Sequence, residues 1–336
     1  MAGYTNREQK PLRKVVIRLG KTAHTRRPRG KRWTRDDWEL TLLATPTFIW
    51  YLLFSFLPMF GIIIAFKKIR FRPGQNFIQN IITSDWCGLK NFEFLFKSND
   101  AFIILRNTIL YNIVFVVLGI VIPVTLAIAI NELRSKKLAK TVQTAMFLPY
   151  FMSWIVVTYF VGAFLNFDKG LLNTLLESMG KDPVQWYREP AYWPGILIFL
   201  NVWKGMGYGM VIYLATITGF DTSYYEAAVI DGATKWQQIR YISLPLLKPV
   251  IIMMFILNIG RIFYSDFGLF YQVPKASPSL FSVTETLDVY IYRALSNSTS
   301  ISMPSAAAFI QSVMGCLTIL SANWLVRRVD KESAIF

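Results

Sequence analysis

The sequence predicts an all-α integral membrane protein with six spans. Three observations carry that prediction. Hydrophobic residues make up 54% of the chain and mean hydropathy is positive, at +0.38. Long charge-free runs recur, and the basic residues behind a net charge of +16 cluster beside those runs. A soluble domain of average composition is far less apolar. Nucleic-acid binding does not explain the charge, because no basic reader domain with interleaved aromatics is present.

The runs at 40–66, 107–131, 141–167 and 294–326 are each long enough for the roughly 20 residues that cross a bilayer as helix. Two further spans, at 193–217 and 246–267, are apolar but interrupted by Lys204 and Arg261. Segment 1–39 carries 12 Lys or Arg, 132–140 carries 4, and the tail after Val326 carries 3. Six spans with a cytoplasmic N-terminus put all three inside, where positive charge belongs. Lys67, Lys68, Arg70 and Arg72 then fall outside, against the rule, and the larger N-terminal excess outweighs them. The expected organisation is a basic cytoplasmic segment, 1–38, followed by a six-helix transmembrane domain, 39–330. Thr34 followed by Asp36 and Asp37 reads as the cap and first turn of the first span. That span is too long for a signal-peptide core and is expected to be retained. Cys87 and Cys316 fall in different compartments, so neither a disulfide nor a metal site is expected. The sole histidine, His24, reads as a solvated tail residue, and the sequon-like NST at Asn297 as a chance match.

Between spans four and five, on the predicted cytoplasmic side, lies EAAVIDGATKWQQIRYISLP, Glu226 to Pro245. Ser223 with Glu226 has the form of a capping box, and Thr234 with Gln237 repeats it. Gly232 suits the left-handed residue that ends a first short helix, and Pro245 is expected to stop the second from running into span five. Tyr224, Ala227 and Ala228 share a helical face on which small alanines permit close approach. These residues alone leave two readings open: a docking surface, or helices resting on the membrane interface.

A charged side chain at mid-membrane costs about 2.5 to 3.5 kcal/mol, so Lys204 and Arg261 should face protein or water. Asn201, Lys204, Gly205 and Tyr208 recur at helical spacing on span four, and Asn258, Arg261 and Ser265 do so on span five. Two polar stripes on neighbouring helices point to a shared cavity. The alternatives are that Lys204 snorkels and that Arg261 pairs with Asp266 or with helix carbonyls. Gly205, Gly207 and Gly209 form GxGxG inside a span, where close helix packing is the better reading than a phosphate cradle. No G-x-x-x-x-G-K-[ST] occurs, so ATP binding through a P-loop is not expected of this chain.

The spacing of Glu226-Ala227-Ala228, Gly232, Ile242 and Leu244-Pro245 resembles, without a gap, the EAA motif of permease subunits in ABC importers fed by a solute-binding protein. PMFGIIIAF, GLKNFEFLF, GFDTSYYEAAVIDGA, NIGRIFYSDFGLFYQV and DVYIYR are similar to the carbohydrate branch, in particular the permeases for complex oligosaccharides. The resemblance implies a type I importer permease with a cytoplasmic coupling helix, in a bacterial cytoplasmic membrane with both termini inside. It implies a second permease subunit, two cytoplasmic ATPase subunits and an extracytoplasmic solute-binding protein. ATP and Mg would sit on the ATPases, with no cofactor and no catalysis on this chain. Glu226, Ala227, Ala228, Gly232, Leu244 and Pro245 would form the ATPase-coupling set. Asn201, Gly205, Tyr208, Asn258 and Arg261 would fall where a maltose-type permease presents groups to its sugar, with Lys204 in the same row.

Amides and aromatic rings suit a neutral glycan; two cations favour one bearing carboxylates or sulfates, such as a uronate-containing oligosaccharide. Two rivals come from other classes. An ion-coupled secondary transporter would use Lys204 and Arg261 as its relay, but the four uninterrupted runs contain no Asp or Glu. A membrane-embedded enzyme modifying glycan or lipid would need a cluster of acids or a histidine, and the acids are dispersed.

Overall fold

The computed structural model describes residues 34–297 and 301–329. The basic segment through residue 33 with His24, the tripeptide 298–300 that completes the sequon, and the tail from residue 330 lie outside the described residues. The chain divides into two compact units, Met1–Leu57 and Pro58–Phe336.

In the first unit, helix α1 (Arg35–Tyr51) begins at Thr34, whose hydroxyl accepts from the Asp37 backbone N–H at 3.3 Å. The Asp37 carboxylate in turn accepts from the Thr34 N–H at 2.9 Å. This reciprocal box satisfies two of the donors that every helix start leaves unpaired, as the Thr34-Asp36-Asp37 pattern predicts. A π turn, Leu52–Phe56, continues the helix.

The second unit holds α2 (Asn99–Asn131), α3 (Lys136–Phe147), α4 (Trp154–Leu165), α5 (Trp193–Thr218), α6 (Ser223–Ile230), α7 (Leu244–Ile259), α8 (Leu287–Asn297) and α9 (Ser302–Val329). Among the described residues the only strands are β1 (Lys67–Lys68) and β2 (Asp85–Trp86), paired antiparallel. The ammonium of Lys67 donates to the carbonyls of Ile81 and Ile82, at 2.8 and 3.1 Å, at the end of the short helix Phe77–Thr83. One cation of the cluster that violates charge placement is thus committed to the negative end of a helix.

Helices α2 and α5 form the spine. Val124, Ala127 and Ile130 pack with Met210, Tyr213, Ile217 and Leu247. Nearer the start of α5, Trp193, Leu197 and Leu200 pack with Tyr111, with Val157, Val161 and Leu165 of α4, and with Leu269, Phe270 and Val273. Two glycines allow the close approach. A Cβ on Gly209 would lie 2.9 Å from the Pro123 ring, and one on Gly207 would lie 2.1 Å from the Met146 carbonyl oxygen. The packing reading of GxGxG therefore holds at these two positions, whereas Gly205 faces open space.

Among the described residues, five helical stretches are long and apolar enough to cross a membrane: Arg35–Phe66, Asn99–Asn131, Pro190–Thr218, Lys235–Ile259 and Ser302–Arg328. The sixth is a bent pair, Lys136–Phe151 and Trp154–Leu165, which turns through 100°. The third run is therefore not one straight helix. Its break follows Pro149, in a 3-10 turn Leu148–Phe151, and Ser153 caps the new helix. The sixth span starts at Ser302, because Ala294 belongs to α8. The fifth ends at Ile259, well short of residue 267.

Pro245 does not stop the helix from running into span five. A π turn, Ile239–Ser243, precedes it, and the Leu244 N–H bonds to the Ile239 carbonyl. The widened turn gives the proline ring room where an α-turn would clash with the carbonyl four residues back. Pro274 follows the π turn Gly268–Gln272 in the same register, and Pro58 follows Leu52–Phe56 likewise.

Candidate functional site

Within the second unit, α2, α5 and the end of α7 enclose a cavity of about 740 Å³. From the α5 stripe it takes Asn201, Gly205 and Tyr208; from span five it takes Asn258, Arg261 and Ser265. Helix α2 adds Asn112 and Phe115, and Tyr264 and Asp266 complete the polar part of the wall. The sequence stripes thus converge, with one exception and one change of backbone.

The exception is Lys204, which does not line the cavity. Its ammonium donates to the Tyr150 carbonyl at 3.0 Å and lies 5.5 and 5.3 Å from the ring centres of Tyr150 and Trp154. It therefore does not snorkel, and its ammonium is committed within the protein. It holds a carbonyl freed by the break in the third span, between two aromatic faces that favour a cation. Tyr150 also stacks on Tyr208 at 4.8 Å, linking the break to the cavity wall.

The change of backbone concerns Arg261 and Ser265, which are not on a helical stripe. After Ile259 the chain leaves the α-helix: residues 260–263 form turns and residues 264–266 have no regular structure. Backbone outside regular structure must find its hydrogen bonds in side chains or water. Here side chains from three other elements supply them, and a fourth holds the Asp266 side chain. Gln311 of α9 donates to the Phe263 carbonyl at 2.8 Å, and Asn112 of α2 donates to the Tyr264 carbonyl at 2.9 Å. The Asp288 carboxylate of α8 accepts from the Ser265 N–H and hydroxyl at 2.6 and 3.0 Å, and Gln311 also donates to it. The Trp154 indole N–H of α4 donates to Asp266 at 2.7 Å. Gly260 admits Ile319 of α9, which a Cβ would meet at 2.9 Å.

Sequence reasoning missed Asn112, Trp154, Asp288 and Gln311, which stand in four separate segments with no shared period. The one available signal was amide side chains, Asn112 and Gln311, inside otherwise apolar runs. Arg261 itself makes no side-chain hydrogen bond or ion pair among the described residues, so neither proposed partner, Asp266 nor a helix carbonyl, takes it. Both Asp266 oxygens are engaged elsewhere: Oδ2 by Trp154, and Oδ1 by the N–H groups of Gly268 and Leu269 at 2.9 and 3.4 Å.

In the loop between spans four and five, two short helices flank Gly232, whose φ of +76° is the left-handed conformation expected. The Thr234–Gln237 box forms. The Ser223–Glu226 box does not: Asp221 accepts from the Ser223 N–H at 2.9 Å in an Asx-type turn, and α6 starts without a side-chain cap. The Ser223 hydrogen bonds, that of the backbone first, hold the Asp221 carboxyl below its ordinary value. Glu226 and Ala227 are exposed, and so are Tyr224, Val229 and, at 86%, Ile230. Tyr225 bonds Ser243 at 2.9 Å, and Lys235 pairs with Glu132 of the α2 C-terminus at 3.1 Å. Leu244 and Pro245 open α7 directly after the π turn.

The family described as the inner membrane component of binding-protein-dependent transport systems matches residues 119–332. The chain belongs to this family. As a member it is an integral membrane protein and a transport component. Of its relatives, the polygalacturonan/rhamnogalacturonan transport system permease protein YteP of Bacillus subtilis (strain 168) is 33% identical over 87% of this chain and 89% of that one. Protein LplB of the same organism is 30% identical over 89% of this chain and 91% of its own length. The fold is similar to a chain in the crystal structure of a bacterial ABC transporter that imports the acidic polysaccharide alginate. That match has a TM-score of 0.78 and 32% identity, over 88% of this chain and 97% of that one. A second structure, the alginate transporter in complex with a periplasmic protein bound to an alginate pentasaccharide, gives 0.78 and 31%, over 88% and 96%.

Proposed function

We propose that this chain is one permease half of an ATP-driven importer and passes an acidic, uronate-containing oligosaccharide through the cavity between α2, α5 and α7. The observation that carries the reading is the cavity's composition: amides and tyrosines suited to sugar hydroxyls, with a guanidinium on the wall, Arg261, that is unpaired among the described residues. A fixed cation left without a protein partner favours a carboxylate-bearing cargo. The acidic polysaccharides named for YteP and the alginate importer support the same class. Asn201, Gly205, Tyr208, Asn258 and Arg261 form the proposed pathway; Lys204 is no longer part of it.

A second permease completes the pore, and an extracytoplasmic binding protein delivers the cargo. Two ATPases seat the loop 221–248, with Glu226, Ala227, Ala228 and Gly232 at the contact and Leu244-Pro245 joining it to span five. Exposed Tyr224, Val229 and Ile230 give that contact apolar area beyond the alanines. The chain lies in a bacterial cytoplasmic membrane with both termini inside, and ATP and Mg act on the ATPases. Driving the pore from 1:99 to 99:1 between its two states needs about 5.5 kcal/mol of differential binding.

Uptake of two matched glycans, one uronate and one its neutral alcohol, tests the reading. The whole transporter should favour the uronate. Arg261→Gln should lower uronate uptake roughly tenfold or more, since a hydrogen bond to a charged group is worth about 1.5 to 3 kcal/mol. Equal uptake of both glycans by the parent would sink the acidic cargo.

A further inference from the structure

Arg261 and Asp266 carry opposite charges, line the same cavity wall and stand five positions apart on one non-helical segment. Opposite charges on one wall attract, yet these two form no ion pair. The reason is on the other side of Asp266. The Trp154 indole N–H, the first helical residue after the break in the third span, draws Oδ2 away at 2.7 Å, while the π-turn amides hold Oδ1. The indole has little freedom to let go. It lies against Gly268, where a Cβ would come within 2.1 Å of the ring, and beneath the Lys204 ammonium at 5.3 Å.

We infer that Trp154 is a positioning residue that determines specificity: by holding the Asp266 carboxylate it keeps Arg261 free to meet an anionic cargo. The inference rests on the proposed function, in that the cargo crosses this cavity. When the indole donor is lost, Asp266 turns to Arg261 and an acidic sugar must compete with an internal carboxylate. The net charge of the wall is unchanged; what changes is whether its cation is available. Lys204 enters only indirectly, by fixing the ring that makes the bond.

Two readouts test this in the complete transporter. The first is the ratio of uronate to neutral-glycan uptake. The second needs no cargo: Cys87 and Cys316 are replaced by serine, Val202, which lines the cavity, is replaced by cysteine, and the thiol is reacted with a negatively and a positively charged methanethiosulfonate. Trp154→Phe keeps an aromatic ring for Gly268 and Lys204 but lacks the donor; Trp154→Leu, also without a donor, serves if Phe fails to insert. Either should lower both ratios about threefold, as pairing a nearby charge in a partly solvated cavity implies. Adding Asp266→Asn should restore both ratios, which repair of a merely structural defect would not do. A thiol ratio unmoved by loss of the indole, or lowered but not restored by Asp266→Asn, overturns the role of Trp154. A thiol ratio that behaves as expected beside equal glycan uptake in the parent overturns the acidic cargo and leaves Trp154 holding Asp266.

Discussion

The chain contains nearly the same pentapeptide twice, FLPMF at 56–60 and FLPYF at 147–151, and the two copies end differently. In the first, a π turn absorbs the proline and helical structure continues as a 3-10 stretch, Leu57–Phe66. In the second, the helix stops at Phe147, and after Ser153 a new one leaves at 100°. The proline is common to both, so the proline does not decide. The surroundings differ. The first copy presents Phe56, Leu57, Met59 and Phe60 at the surface. The second lies over Gly207, gives its Tyr150 carbonyl to Lys204, stacks Tyr150 on Tyr208 and passes directly to the Trp154–Asp266 bond. A proline marks where a helix can break; donors from other helices that take up the freed carbonyls determine that it does.

Five substitutions sharpen this contrast. The largest effect is expected from Gly207→Ala, whose methyl meets the backbone of Met146 and Phe147 at the base of the break, where nothing flexible can yield. It should cost about 3 kcal/mol in equilibrium unfolding in mixed micelles, while Gly205→Ala, facing open space, leaves stability unchanged. Equal effects at both positions would show that α5 does not rest on this backbone. Next, Lys204→Met should cost about 2 kcal/mol, because it strands the Tyr150 carbonyl without its charged donor. Arg261→Gln should leave the unfolding midpoint in place, and a shift as large as that of Lys204→Met would mean both cations are structural. The smallest effect falls to Ser153→Ala, which removes the acceptor for the Val156 N–H. A cost of about 1 kcal/mol is expected, with faster amide exchange confined to the first turn of α4.

The same contrast explains what the sequence could and could not disclose. Apolar runs located the spans because lipid demands them of every crossing helix. Asn201, Gly205 and Tyr208 were legible as a cavity wall because α5 stays helical and keeps its period. Lys204 shares that period but has a long, flexible stem, and spacing along one helix says nothing about a carbonyl left free on another. Arg261 was placed on a helix because Gly260, which caps α7, is a weak stop signal inside an apolar run; the path beyond it depends on Gln311, Asn112 and Asp288, remote in sequence. The Ser223–Glu226 box failed for a nearer reason: Asp221, two residues away, takes the Ser223 N–H that Glu226 would have accepted.

The moorings of residues 260–267 carry a mechanical consequence. Each is a hydrogen bond, and a hydrogen bond keeps its strength only over about half an ångström of length. Lines of so little slack run from the segment to α2, α4, α8 and α9 at once. None of those four helices can slide by an ångström alone: it either carries the Arg261 wall along or parts its line. The flexible-looking stretch of the cavity is thus the place where the positions of four helices are averaged, and its shape registers any one of them that moves.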